Sequence, residues 1–213
     1  VYKCAMAVNG TPIIKFGEKE FDVTPPWNKI DMTEAVIKTT GIPFDKIDSD
    51  EEAIAAAKAY GMNFEDLKES ELTRGKLIAE MFEDYCEDIP GFLDGPCFVC
   101  GHPVEVSPLA KKDPRITRRF ESYINGWEIS NAFSELNDPI DQYERFEAQQ
   151  RELDLGLDDE AHPMDMDFVN ALEVGMPPTG GVGIGVDRLV MLLTDQPTIR
   201  DVQLFPIMKP LDK

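Results

Sequence analysis

Basic residues and histidines are scarce in this chain. It carries 21 lysines and arginines against 41 aspartates and glutamates, a formal charge of −20, and it contains 2 histidines. A surface of that sign repels polyanions at long range. By itself the chain is therefore expected to bind nucleic acid poorly.

Long hydrophobic runs are also missing. No stretch approaches the roughly 18 uninterrupted apolar residues that indicate a membrane span. The amino end, VYKCAMAVNG, has neither the basic start nor the long apolar centre of a signal peptide. With 42% hydrophobic residues among 213, the composition instead predicts a soluble globular protein of the cytoplasm, with no membrane partner.

The cysteines lack the companions that a zinc site needs. The CFVC sequence beginning at Cys97 has ligand spacing, but only Cys86 and the distant Cys4 remain, so there is no second spaced pair. We interpret residues 97–106 as a reduced, structural strand.

The segment 119–138, RFESYINGWEISNAFSELND, predicts a β-hairpin. Asn125-Gly126 is the strongest short-range signal for a two-residue turn. Such a turn places Glu121 and Glu128 diagonally on one face, with their Cβ atoms about 7 Å apart. Oxygen ligands without histidine favour magnesium. The pair is half of a magnesium site or, alternatively, two solvated acids on an exposed face.

The second strand of this hairpin carries a candidate ligand pocket. Asn131, Phe133 and Glu135 alternate onto one face, and Glu128 joins them only if a bulge accommodates an extra residue between Ile129 and Asn131. An apolar ring between an amide and a carboxylate suits an elongated cationic ligand. Phe133 alone is more typical of a core.

A glycine-rich segment follows near the carboxyl end. Residues 183–186 predict a strand that a flat ligand can approach closely, because side chains are missing. Asp187 would then cap a helix with Arg188 in its first turn, where a cation gains nothing from the helix dipole. That cost favours a ligand-facing role for Arg188, since a guanidinium stacks on bases and forks onto phosphate. Residues 199–206 predict a last strand.

Three segments together resemble a known family: RFESYINGWEISNAFSELNDPIDQYERF, ALEVGMPPTGGVGIGVDRLVMLLT and IRDVQLFP. They are similar to the C-terminal part of the catalytic domain of class II lysyl-tRNA synthetases, and the likeness extends more weakly back to Val1. The resemblance implies an α/β fold of the α+β type, with a mixed, mainly antiparallel sheet flanked by helices. It also implies an enzyme that activates lysine with Mg-ATP and transfers it to tRNA.

The resemblance assigns roles to individual residues. Glu121 and Glu128 would hold Mg²⁺ against the ATP phosphates, and Arg188 would be the catalytic arginine that touches ATP. The residues implied for binding lysine are Glu128, Asn131, Phe133, Glu135, Gly181 and Gly183.

Domain boundaries follow from the change in pattern along the chain. Residues 1–32 would begin the catalytic core, residues 33–88 would form a helical insertion rich in helix formers, and residues 89–213 would complete the core. Asp31 or Thr33 is expected to cap the first helix of the insertion.

Parts of the family pattern do not match this sequence. The first arginine is Arg74, so motif two has no counterpart here, and motif one and the anticodon-binding domain are absent too. We expect the isolated chain to be inactive and tRNA binding to depend on those upstream regions. The family is usually homodimeric, and the sequence leaves dimerisation of this piece open.

Two other functions remain open. One is a catalytically incomplete relative that only binds a ligand or a partner, which the missing arginine favours. The other is a protein-lysyl transferase of the same fold, which is less favoured because the ELND and PPTGG patterns are kept.

Overall fold

The computed structural model describes residues 1–64, 72–87, 89–154 and 163–206. Helices and strands are mixed along this part of the chain. The helices are α1 (Tyr2–Asn9), α2 (Met32–Thr40), α3 (Asp50–Tyr60), α4 (Arg74–Phe82), α5 (Pro139–Asp154), α6 (Met166–Val174) and α7 (Val186–Thr194). The strands are β1 (Ile13–Phe16), β2 (Lys19–Asp22), β3 (Asn28–Asp31), β4 (Cys97–Cys100), β5 (Lys112–Asp113), β6 (Ile116–Thr117), β7 (Arg119–Ile124), β8 (Trp127–Ser134) and β9 (Gly180–Ile184).

A five-stranded sheet organises the fold, with the order β3-β4-β7-β8-β9. β3 and β4 are parallel, and each of the other neighbouring pairs is antiparallel. A parallel pair needs a long crossover connection, and α2, α3 and α4 lie in the chain between β3 and β4. The mixed α/β prediction is thereby confirmed, with helices where the helical insertion was expected. The division into 1–32, 33–88 and 89–213 stays a prediction.

Local sequence explains how these helices begin. Asp31, one of the two residues predicted to cap α2, accepts a hydrogen bond from the N–H of Glu34 at 3.0 Å. Ser49 caps α3 in the same way through the N–H of Glu52. Side-chain oxygens at these positions satisfy N–H groups that the helix leaves unpaired.

The hairpin of β7 and β8 has the predicted turn. Asn125 and Gly126 have φ values of 59° and 69°, and Tyr123 lies opposite Glu128. The bulge is also present, but it lies one residue earlier than expected. Ser122 pairs with Ser130 while Tyr123 pairs with Glu128, so Ile129 is the extra residue.

The two faces of the hairpin pack against different cores. Tyr123 lies at the edge of a cluster formed mainly by α2, α3 and α4. Ile124 and Ile129 belong to a second cluster with Leu192 of α7 and residues of β1 and β2. Both cores therefore hold the hairpin in place.

Two predicted strands and one predicted helix cap differ from the structure. The strand predicted over residues 97–106 ends at Cys100, because the chain turns at Gly101 with a φ of 76°. The strand predicted over residues 183–186 is β9, which begins at Gly180 and ends at Ile184, since glycines pair with β8 through their backbone alone. Gly185, not Asp187, is then the N-cap of α7.

The last strand, predicted over residues 199–206, is replaced by a short 3-10 helix over Ile199–Asp201. The hydroxyl of Thr198 donates to the Asp201 carboxylate at 2.7 Å, and the Asp201 N–H bonds the Thr198 carbonyl. These local bonds outweigh the apolar pattern. Leu204 and Phe205 are left exposed.

Two of the four cysteines are ordinary core residues. All four are free, with Cys86 and Cys97 buried. Burial raises the pKa of the Cys97 thiol to about 11, so it stays protonated and unreactive at neutral pH. The interpretation of a reduced, structural strand is confirmed for the part that forms β4.

Within the described residues, no helix is long and apolar enough to cross a membrane. The acidic segment over residues 155–167 has a sequence typical of a linker, and its residues 155–162 lie outside the described residues. The cytoplasmic location stays a prediction.

Candidate functional site

Strand register brings most of the predicted site residues onto one sheet face. Glu121 lies opposite Asn131, which lies opposite Gly183. Phe133 of the same face lies opposite Gly181. The bulge at Ile129 gives Glu128 the same parity as Asn131, so the residues of this face, called here the site face, are Arg119, Glu121, Tyr123, Glu128, Asn131, Phe133, Glu135, Gly181 and Gly183.

One end of the site face is built from Glu135 and Gly181. A Cβ at Gly181 would lie 2.6 Å from Oε1 of Glu135, closer than real Cβ contacts come. Glycine at this position therefore lets the Glu135 carboxylate lie over the β9 backbone. The Glu135 N–H bonds the Thr179 carbonyl at 3.0 Å, which fixes the chain just after β8.

The Glu135 carboxylate is available to a ligand. No cation or hydrogen-bond donor of the described residues pairs with it. Glu135 and its neighbour Phe133 are each half-buried. A half-buried carboxylate next to an aromatic ring is suited to an ammonium group carried on an alkyl chain.

The middle of the site face is occupied by Glu121, whose side chain is 12% exposed. Arg119 donates to its Oε1 at 2.5 Å, and the Tyr123 hydroxyl donates to its Oε2 at 2.9 Å. Nε2 of the buried His102 lies 3.4 Å from Oε2. Burial alone would raise the pKa of Glu121, but His102, Arg119 and Tyr123 outweigh burial and lower that pKa to about 2. Glu121 is thus ionised at neutral pH.

Tyr123 is held as a neutral donor. Burial, together with the carboxylates of Glu121 and Glu87, raises the pKa of its hydroxyl. The hydroxyl therefore keeps its proton and remains available to Glu121.

The other end of the site face carries Glu128 and Arg188. Arg188 lies in the first turn of α7, as predicted, and its Nη1 donates to the Glu128 carbonyl at 2.7 Å. The same Nη1 lies 3.9 Å from Oε2 of Glu128. Both side chains line an open cavity of about 470 Å³ that Tyr123 and Glu87 also border. The arginine and the carboxylate predicted to meet a nucleotide are therefore neighbours.

The two carboxylates differ in the room that they leave for a ligand, because both oxygens of Glu121 already accept hydrogen bonds whereas Glu128 faces the cavity. Glu121 is ionised, and Glu128 is 39% exposed toward the cavity. No group of three or more His, Cys, Asp or Glu side chains in the described ranges is arranged to hold a metal ion. Magnesium characteristically takes one or two carboxylates and completes its shell with phosphate oxygens and water.

Sequence reasoning missed three residues that contact Glu121. Arg119 and Tyr123 each stand two residues from Glu121 on β7, so the period of two places them on the same face. His102 lies far away in the chain, and it reaches Glu121 only because β4 pairs with β7. No local pattern indicates that contact.

The basic side chains of the loop over residues 107–115 bond to other side chains of the protein. Lys112 and Arg115 form ion pairs with Asp141 and Asp48, at 3.3 Å and 2.6 Å. Lys111 bonds the side chain of Asn137 at 3.1 Å. These contacts are typical of an ordinary surface loop.

Comparison with known proteins matches residues 3–209 to the family of class II tRNA synthetases (D, K and N). The chain is 55% identical over 208 residues to the lysine-tRNA ligase of Listeria innocua and 54% identical over 209 residues to that of Bacillus subtilis. It is 52% identical over 213 residues to the lysine-tRNA ligase of Clostridium acetobutylicum. These alignments cover 96%, 96% and 98% of this chain. The chain spans 40% of the length of each of these relatives.

Proposed function

The chain belongs to the class II tRNA synthetases of the D, K and N group, and from that membership we propose that it forms the lysine-recognising and ATP-contacting part of a lysine-tRNA ligase. The relatives at 52 to 55% identity carry that name. The overall reaction joins the lysine carboxylate to the α-phosphate of ATP with release of pyrophosphate, and then passes the lysyl group to tRNA with release of AMP.

The observation that carries the proposal is the carboxylate of Glu135 lying over Gly181 on the site face. Glu135 would pair with the side-chain ammonium of lysine, and Phe133 would cover its alkyl chain. Aspartate and asparagine, the other amino acids of this group of enzymes, lack an ammonium on the side chain. A carboxylate at this place repels aspartate and gains little from asparagine.

The opposite end of the site face suits the phosphates. Glu121 and Glu128 would hold Mg²⁺, which when bound offsets the negative charge of the phosphate oxygens. Arg188 would add a fixed positive charge beside Glu128 and contact the nucleotide. Asn131 and Gly183 lie between the two ends, so that the lysine carboxylate and the α-phosphate would meet there.

Transfer to tRNA would depend on regions other than this chain. Its formal charge of −20 opposes long-range attraction of a polyanion. We therefore assign tRNA contact to the parts of a complete ligase that this chain does not match.

A hybrid enzyme tests the proposal. In this hybrid ligase the chain replaces the matching 209 residues of the Bacillus subtilis lysine-tRNA ligase, and ATP-pyrophosphate exchange is measured with lysine, aspartate and asparagine. We expect exchange with lysine alone, and the intact Bacillus subtilis ligase serves as the positive control. A folded hybrid ligase that lacks exchange, or that prefers aspartate or asparagine, contradicts the proposal.

A further inference from the structure

We infer that Arg119 is a positioning residue, which holds the Glu121 carboxylate and the Asn131 amide in one arrangement and so couples the carboxylate proposed to hold Mg²⁺ to the amide proposed to bind lysine. The inference rests on the proposed function. It concerns a side chain whose four hydrogen bonds are all made to the protein itself.

The guanidinium of Arg119 donates four hydrogen bonds. Nη2 donates to Oε1 of Glu121 at 2.5 Å, and Nε donates to Oδ1 of Asn131 at 3.2 Å. Nη1 donates to the Val106 carbonyl at 3.0 Å and to the Ser107 hydroxyl at 2.9 Å. The Arg119 side chain is 19% exposed, so these contacts are largely shielded from water.

Two of these hydrogen bonds, to Val106 and Ser107, tie the arginine to the segment after β4. Val106 and the buried Ser107 lie at the end of a short 3-10 turn that follows β4. The remaining two contacts point forward onto the site face. The planar guanidinium of arginine, with its fixed N–H donors, can bond to Val106 and Ser107 on one side and to Glu121 and Asn131 on the other at once, whereas the single ammonium of a lysine cannot.

Arg119 also determines which end of the Asn131 amide faces its neighbours. Because Oδ1 accepts from Arg119, Nδ2 is the end directed to Oε1 of Glu121, at 3.4 Å. An amide turned the other way would set N–H groups against the guanidinium and a carbonyl oxygen against the carboxylate. Both contacts would be repulsive, so Arg119 fixes the orientation of the amide.

The same guanidinium makes the shortest ion pair of the largely buried Glu121 carboxylate. Removing it would leave that carboxylate without its shortest cationic contact. Glu121 would then be free to turn toward other donors. We therefore expect the magnesium requirement and lysine binding to change together when Arg119 is altered.

A purely structural role for Arg119 gives a different result. If the arginine only ties the 3-10 turn to the sheet, its loss lowers the melting temperature and leaves the lysine KM and the magnesium requirement unchanged. The neighbouring Arg118 offers a matched control. Its side chain is 56% exposed and forms an ion pair with Asp113 at 3.5 Å.

The first measurement uses the full chain and nuclear magnetic resonance. Side-chain amide signals of Asn131 are compared between the unsubstituted chain, Arg119→Lys and Arg118→Lys. We expect a displaced Asn131 signal in Arg119→Lys and an unchanged one in Arg118→Lys. Ser107→Ala removes one hydrogen bond of Arg119 but keeps its contacts with Glu121 and Asn131, so it should shift the Asn131 signal less and in the same direction. This variant replaces Arg119→Lys in the test if Arg119→Lys does not fold.

The second measurement uses pyrophosphate exchange by the hybrid ligase. We expect Arg119→Lys to raise the lysine KM and the half-saturating magnesium concentration by about tenfold each, as expected for weakened hydrogen bonds to charged groups. Arg118→Lys should change neither. An unchanged Asn131 signal, or unchanged kinetics with a lower melting temperature, overturns the inference.

The two measurements separate this inference from the proposed function. If the unsubstituted hybrid ligase is folded and has no exchange with lysine, the proposed function fails. The Asn131 signal then decides by itself whether Arg119 positions that amide.

Discussion

Replacing Gly181 by alanine is a sharp perturbation of the lysine end of the site face. The added Cβ would lie 2.6 Å from Oε1 of Glu135, and ordinary contact begins at 3.4 Å. The carboxylate must therefore retreat by about 0.8 Å, which a flexible side chain does at a cost of roughly 0.5 to 1.5 kcal/mol. The smaller entropy of the unfolded chain offsets about 0.4 to 1 kcal/mol of that cost.

The effect on lysine should be much larger than the effect on stability. A charge-assisted hydrogen bond contributes about 1.5 to 3 kcal/mol. If the displaced Glu135 loses that bond, the lysine KM of the hybrid ligase should rise roughly ten- to a hundredfold. The free energy of unfolding, measured by urea titration, should change by less than about 1 kcal/mol.

Gly180→Ala is the matched control. Gly180 stands next to Gly181 on β9 but pairs with Ser134 on the opposite face. Its added Cβ would meet only the Phe133 carbonyl, at 3.6 Å. We expect Gly180→Ala to leave the lysine KM unchanged. Equal effects of the two substitutions, or no effect of Gly181→Ala, would refute the assignment of the lysine pocket.

Two further predictions concern acid stability and a turn. The pKa of Glu121 is lowered from 4.5 to about 2 in the folded chain. The ionised carboxylate therefore stabilises the folded state by about 3 kcal/mol above pH 4.5, and this contribution is lost as the pH falls toward 2. The difference in unfolding free energy between the unsubstituted chain and Glu121→Gln, measured by urea titration, should therefore shrink over that range, and a constant difference would argue against the described contacts of Glu121. Gly101→Ala should destabilise the chain by roughly 1 to 3 kcal/mol in the same assay, because φ is 76° there and the methyl group would overlap the Asp31 carboxylate. Gly95→Ala is the control, since Gly95 is exposed and an added Cβ there meets nothing within 4 Å.

The site face could be predicted largely because a hairpin has simple rules. Asn125-Gly126 fixes the turn, and the period of two then decides which side chains share a face. The need for a bulge followed from the parity of Glu128. Its position at Ile129 could not be derived, because the packing of Ile129 against the core around Leu192 selects it.

The errors have common physical causes. Glycine-rich strands lack side-chain patterns, so the limits of β9 depend on pairing with β8 and could not be read locally. The end of β4 depends on the left-handed φ of Gly101, which brings the chain close to Asp31. The contact of His102 with Glu121 depends on sheet order, which a linear pattern does not contain.

The measurement that tests the central claim most directly is lysine-dependent pyrophosphate exchange by the hybrid ligase with Glu135→Gln. This substitution keeps the size of the side chain and removes the charge that would meet the lysine ammonium. We predict that kcat/KM for lysine falls by at least about tenfold, which corresponds to roughly 1.4 kcal/mol, while the magnesium requirement changes less. An unchanged lysine KM and an unchanged turnover would mean that Glu135 is a structural residue and that the site face does not recognise lysine.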